Sequence, residues 1–96
     1  MPYQKYIETV PGSATNKIFL FTLSTCVWCK KTKQLLKDLG LEYQFVDVDL
    51  LGMTDQISAY NEIEKYNPKI FFPTIIINDG QGVISGFNEE KIKALI

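Results

Sequence analysis

Hydrophobic and polar positions divide the chain into alternating strand-like and helix-like stretches. Ile18-Phe19-Leu20-Phe21 is almost continuously apolar and, with Thr22, predicts a strand buried on both faces, as at the centre of an α/β sheet. From Val27 to Leu39 the pattern changes period. Cys29, Thr32, Leu36 and Leu39 recur every three or four residues with Leu35 beside them, while Lys30, Lys31, Lys33 and Lys37 take the opposite side. That is an amphipathic helix, with Lys33 and Lys37 read as solvated. Gly40 ends it, and Leu41 is placed to meet Leu36 as in a Schellman cap. Tyr43 to Val48 alternates and then runs apolar, predicting a second strand. Strand, helix and strand in this span make a βαβ unit, so the two strands are expected to be parallel.

A second helix starts near Thr54, carries Ile57, Tyr60 and Ile63 inward and ends before Asn67-Pro68. Ile75 to Ile77 is a β-branched third strand, Asn78-Asp79-Gly80 is a turn signal, and Val83-Ile84 is a short antiparallel fourth strand. Asn88 is a good N-cap for a last helix whose apolar face is Ile92, Leu95 and Ile96. Residues 1–16 read as a peripheral arm. Within it Tyr6 to Val10 offers a short edge strand, and Pro11-Gly12-Ser13 breaks it. Residues 17–96 form one α/β domain in the order β-α-β-α-β-β-α.

Composition narrows the function classes. Hydrophobic residues are 46% and charged residues 22%, the balance of an ordinary soluble domain. A net charge of −1 gives no pull toward nucleic acid or an anionic membrane, and no apolar run is long enough to span a bilayer. The N-terminus shows no apolar leader, so a cytoplasmic location is expected; the chain is also expected to be a monomer. The chain has no histidine, which excludes Cys–His dyads, Ser–His–Asp triads and histidine metal sites. Two cysteines cannot fill a four-coordinate zinc site, so no metal is expected within one chain, although two chains together would offer four thiolates.

Those cysteines, Cys26 and Cys29, stand three apart where the first strand gives way to the first helix. Positions i and i+3 share a helix face, with alpha carbons about 5 Å apart, within reach of a disulfide. Cys26 falls at the helix N-terminus, where unpaired N–H groups and the helix dipole favour a thiolate; Cys29 lies one turn inside. In a compartment that keeps thiols reduced, such a pair reads as a cycling dithiol rather than a structural bridge. Two structural cysteines, or an interaction module with vestigial ones, are the alternatives. Pro73, just before the third strand, fits the first position of a strand, where no ladder donor is required.

Taken together, these residues resemble the glutaredoxin family of the thioredoxin-like superfamily. The resemblance runs from about Lys17 to Ile96. It rests on the strand, Cys-x-x-Cys at a helix start, Pro73-Thr74 before the third strand, the hairpin and the Gly86-Phe87 turn. It implies a four-stranded mixed sheet flanked by three helices, strand order 2-1-3-4 counted from the Ile18 strand, and a cis Phe72-Pro73 bond beside Cys26. It also implies that Cys26 is the nucleophile and Cys29 the resolving thiol. The substrate groove would comprise Thr25, Trp28, Phe72, Pro73, Thr74, Gly86, Phe87 and Asn88. Three positions depart from the family pattern. Val27-Trp28 replaces the common Pro-Tyr between the cysteines. Leu23 stands where glutathione-using members usually carry a lysine for a glutathione carboxylate. Gly86-Phe87-Asn88-Glu89 replaces a Gly-Gly stretch followed by a small residue and aspartate. Ser85-Gly86-Phe87 is similar to the glutaredoxin-like electron donors of ribonucleotide reductase, which draw on thioredoxin reductase, although those commonly keep the lysine.

The implied function is a small thiol–disulfide oxidoreductase acting on protein or small-molecule disulfides. No tightly bound cofactor is expected, with glutathione or another low-molecular-weight thiol as co-substrate, or a reductase as electron donor. A glutathione-dependent deglutathionylating glutaredoxin and an iron–sulfur cluster-bridging carrier are the alternatives.

Overall fold

The computed structural model describes residues 2–96. Five strands and three helices follow one another: β1 (Glu8–Val10), β2 (Ile18–Thr22), α1 (Val27–Asp38), β3 (Tyr43–Asp47), α2 (Met53–Tyr66), β4 (Thr74–Ile77), β5 (Gly82–Ser85) and α3 (Glu89–Lys93). The sheet order is β1-β3-β2-β4-β5. β2 pairs with β3 in parallel and with β4 antiparallel, and β4 pairs antiparallel with β5. Counted from β2, this is the expected 2-1-3-4 arrangement. The sheet has five strands rather than four, because β1 adds antiparallel to the outer edge of β3.

Central β2 is buried at all five positions, and its alternating side chains feed two separate cores. Phe19 and Phe21 point to one face, where they pack with Val46, Val48, Ile76 and the α2 residues Ala59 and Ile63. Ile18 and Leu20 point to the other, against Leu36 of α1 and Ile92 of α3, with Ile75, Ile77 and Ile84. One helix therefore covers the first face and two cover the second. Tyr3 is also fully buried in the first core, with its ring edge-on to Phe21 at 6.3 Å. The segment before β1 thus contributes packing.

Helix ends follow the residues that permit them. Gly40 adopts φ +71°, and the Gly40 and Leu41 amides donate to the Lys37 and Leu36 carbonyls at 3.0 Å each. That is the Schellman pattern, which satisfies carbonyls that α1 leaves free. Two helix-face expectations need correcting. Ile57 is 57% exposed; the inward face of α2 is Ala59 and Ile63, with Tyr60 and Gln56 half-buried beside them. Gln56 occupies the inward place because its side-chain amide donates to the Leu51 carbonyl at 2.9 Å, closing the first turn. Ile96 is exposed because α3 ends at Lys93, so Leu95 but not Ile96 reaches the core.

Candidate active site

Strand register brings the singled-out residues to one end of the sheet. Phe21 of β2 pairs with Thr74, the first residue of β4, and Thr74 pairs with Ser85, the last of β5. The turn carrying Cys26, the Phe72-Pro73 bond and the Gly86–Asn88 turn therefore meet at the same edge. The Phe72-Pro73 peptide is cis, as the resemblance implied. The Cys26 thiol faces the Phe72 carbonyl oxygen at 3.8 Å.

Cys26 is the N-cap of α1. Its backbone is extended, and its sulfur accepts the Cys29 backbone N–H at 3.1 Å. A side-chain acceptor at this position satisfies one of the orphan donors of the first turn, and here the acceptor is sulfur. Both cysteines are free thiols; Cys26 is partly exposed and Cys29 fully buried. Burial, reinforced by the hydrogen-bonded Cys26 thiol, pushes the Cys29 thiol up to about 12. The two sulfurs thus differ sharply in access to solvent.

Aromatic side chains lie on the elements that flank the partly exposed Cys26 thiol. Trp28, 53% exposed, stacks on Phe87 at 5.6 Å between centroids, and the Lys31 ammonium lies 4.7 Å from its ring centre. Trp28, Phe71, Phe72, Gly86 and Phe87 line one open groove. Phe71 was not among the residues anticipated for this groove, yet it is 54% exposed. Its signal was its place beside Phe72, directly before Pro73. Thr25 is exposed in the turn before Cys26, and Pro73 is buried. Asn88 caps α3, its side-chain oxygen accepting the Lys91 N–H at 3.0 Å.

Thr74 stands differently from its expected role. Its side chain is fully buried and does not line the groove. The alternation of β4 turns it inward, where its hydroxyl donates to the Phe71 carbonyl at 2.5 Å. Behind it, the side-chain amide of buried Asn67 donates to Ser85 Oγ at 2.7 Å, and the Gly86 amide donates to the Pro73 carbonyl at 2.8 Å. Thr74, Asn67 and Ser85 hold the proline loop from beneath. In the sequence Asn67, standing before Pro68, carries only the signal of a helix stop.

Lys33 is a second correction. It is half-buried rather than solvated, with its ammonium 3.3 Å from Asp47 and 3.8 Å from the centre of the Phe45 ring. The signal lay in spacing: Lys33 follows Cys29 by four residues and so shares its helix face. Lys37 is exposed, as expected. Leu23 is half-buried against the first core and puts no charge beside Cys26.

The chain is 34% identical over 79 residues to an uncharacterized glutaredoxin-like protein of the rubredoxin operon of Clostridium pasteurianum, covering 82% of this chain and 96% of that one. The crystal structure of Methanosarcina acetivorans methanoredoxin superposes with a TM-score of 0.82 at 45% identity, covering 88% of this chain and 87% of that one. A Methanosarcina mazei glutaredoxin superposes with a TM-score of 0.84 at 44% identity, covering 94% and 87%. The Glutaredoxin family model matches residues 18–83, from the start of β2 into β5, and so contains both cysteines and the cis-proline. The chain therefore belongs to the glutaredoxin family.

Proposed function

We propose that the chain is a dithiol thiol–disulfide oxidoreductase in which Cys26 attacks and Cys29 resolves. One observation carries the reading: the partly exposed Cys26 sulfur accepts the N–H of Cys29, while the Cys29 thiol is sealed from solvent. In the first step the Cys26 thiolate attacks a substrate disulfide. A Cys26–substrate S–S bond forms, and the other substrate sulfur leaves as thiolate and takes up a proton. In the second step Cys29 loses its proton and attacks Cys26. The Cys26–Cys29 bond forms and the remaining substrate thiolate is expelled. An external thiol donor of two electrons restores the dithiol.

The groove supports a preference among substrates. Trp28, Phe71 and Phe87 present apolar faces beside Cys26, which suits a disulfide in an extended protein segment with apolar neighbours. Leu23 offers no cation to a glutathione carboxylate, which supports an electron donor other than glutathione. The test is a reductant panel with insulin as disulfide substrate. Turnover is expected with NADPH and thioredoxin reductase, and weaker turnover with glutathione and its reductase. Equal or faster turnover with glutathione would sink the donor assignment. No acceleration of insulin reduction over dithiothreitol alone, or full activity in Cys26→Ser, would sink the reading itself.

A further inference from the structure

The dithiol cycle leaves one charged cluster unused. Lys33 lies one turn after Cys29 on α1, and its ammonium meets Asp47 at the end of β3. The same Asp47 oxygen accepts the hydroxyl of fully buried Thr22 at 2.6 Å, and that hydroxyl also reaches the Val46 carbonyl at 3.1 Å. The side chains of Lys33 and Asp47 are only 21% and 16% exposed. In every other ion pair of the described residues the lysine is more than half exposed. Exposed pairs contribute little, whereas a shielded pair carries a desolvation cost. A pair kept in that setting, on the face of α1 that also buries the resolving thiol, invites a functional account.

We propose that Lys33, held in place by Asp47 and Thr22, is a positioning residue that sets the ionisation of Cys29 and so governs the resolving step, leaving the attack by Cys26 untouched. The inference rests on the dithiol reading. In the resolving step the Cys29 proton must leave before its sulfur can attack Cys26. The groups that bear on that proton are Cys26 at the helix cap, a backbone hydrogen bond from Leu23, Lys33 on α1, and Asp47 and Asp49 through their effect on Lys33. Burial and the Cys26 thiol disfavour the Cys29 thiolate, while Leu23 and the Lys33 charge favour it. Once Cys26 is tied up in a mixed disulfide its thiol no longer contributes. Lys33 then remains as the side chain acting on Cys29, and Asp47 both fixes its place and partly offsets its charge.

Uncharged dithiodipyridine separates the two steps, because Cys26 and Cys29 each release one chromogenic thiopyridone in turn. Stopped-flow traces of the reduced full-length protein are recorded across pH, with Cys29→Ser as the control lacking the second phase. Lys33→Gln is expected to slow the second phase about threefold at neutral pH and to move its profile up by about half a pH unit. Asp47→Asn moves the profile the other way, and Lys33→Arg restores it. The first phase keeps its rate in all three variants. A second-phase profile unmoved by both charge-removing variants overturns the proposal, as does equal slowing of both phases. Should a variant fold poorly, the remaining two carry the same test. Absence of the first phase in the wild-type protein would overturn the dithiol reading itself, a result distinct from failure of the Lys33 assignment.

Discussion

Cys26 and Cys29 stand three residues apart yet meet opposite surroundings, and the difference should register in stability as well as chemistry. The folded protein holds the Cys29 thiol up at about 12, against 9.0 for the ordinary group, and burial likewise holds the Tyr3 hydroxyl up at about 12, against 10.0. Above the ordinary value, the unfolded chain releases a proton that the folded chain keeps. The unfolded state then binds fewer protons, so stability falls as pH rises. The contribution of Cys29 should be complete below pH 9.0 and disappear toward about 12, and that of Tyr3 should fade between 10.0 and about 12. Urea midpoints of the reduced protein across this range should decline. Cys29→Ala should flatten the decline from its start, and Tyr3→Phe only its upper part. A midpoint that held steady to pH 11 in the wild type would contradict both assignments.

At the level of elements, the proline loop and α2 make separate predictions. The loop is held by Thr74, Asn67 and Ser85, with hydrogen bonds at 2.5 and 2.7 Å. Thr74→Val keeps the shape and removes the bond to Phe71, so a loss of about 1 kcal/mol is expected. Disulfide reduction should slow as well, because the loop carries Phe71 and Phe72 to the groove. Unchanged turnover with lowered stability would show that the bond supports only the fold. On α2, Ile63→Ala should cost roughly 2–5 kcal/mol and Ile57→Ala less than about 0.5. Measured by chemical denaturation, similar costs at the two positions would contradict the inward face. Apolar spacing alone made Ile57, Tyr60 and Ile63 look equivalent. Small Ala59 and polar Gln56 hold the inward places instead, Ala59 fully buried in the first core and Gln56 bonding the preceding turn. Lys33 misled in the opposite direction: its charge suggested solvent, while its four-residue spacing from Cys29 placed it on the buried face.

Across the whole molecule, what was legible was whatever local chemistry decides. The order of elements after residue 17, the Schellman end of α1, the Asn88 cap and the dithiol at a helix start each follow from a few neighbouring residues. The less legible features depend on partners distant in sequence: Asn67 with Ser85, Lys33 with Asp47, and Tyr3 with Phe21. The N-terminal segment shows this most clearly. Pro11-Gly12-Ser13 read only as a break, yet the Ser13 amide donates to the Gly40 carbonyl at 2.7 Å and the Glu42 amide donates back to Ser13 at 2.9 Å. At Gly12 an added Cβ would lie 2.6 Å from the Leu41 carbonyl carbon and 2.7 Å from the Gly40 oxygen, both backbone atoms with little room to yield. The glycine therefore allows the connection to cross beneath the end of α1, while Tyr3 fills the opposite core. Tyr3→Ala should cost about 3–5 kcal/mol, as for other large buried aromatics. Gly12→Ala should destabilise the fold by displacing the crossing. Under native conditions Gly12→Ala should keep the wild-type rate of the first dithiodipyridine phase, because the crossing lies past the C-terminal end of α1 and Cys26 caps its N-terminal end. Denaturation midpoints close to wild type in both variants would reduce residues 2–16 to an appendage. Large losses with intact Cys26 reactivity would make the segment an integral part of the fold that plays no part in the chemistry.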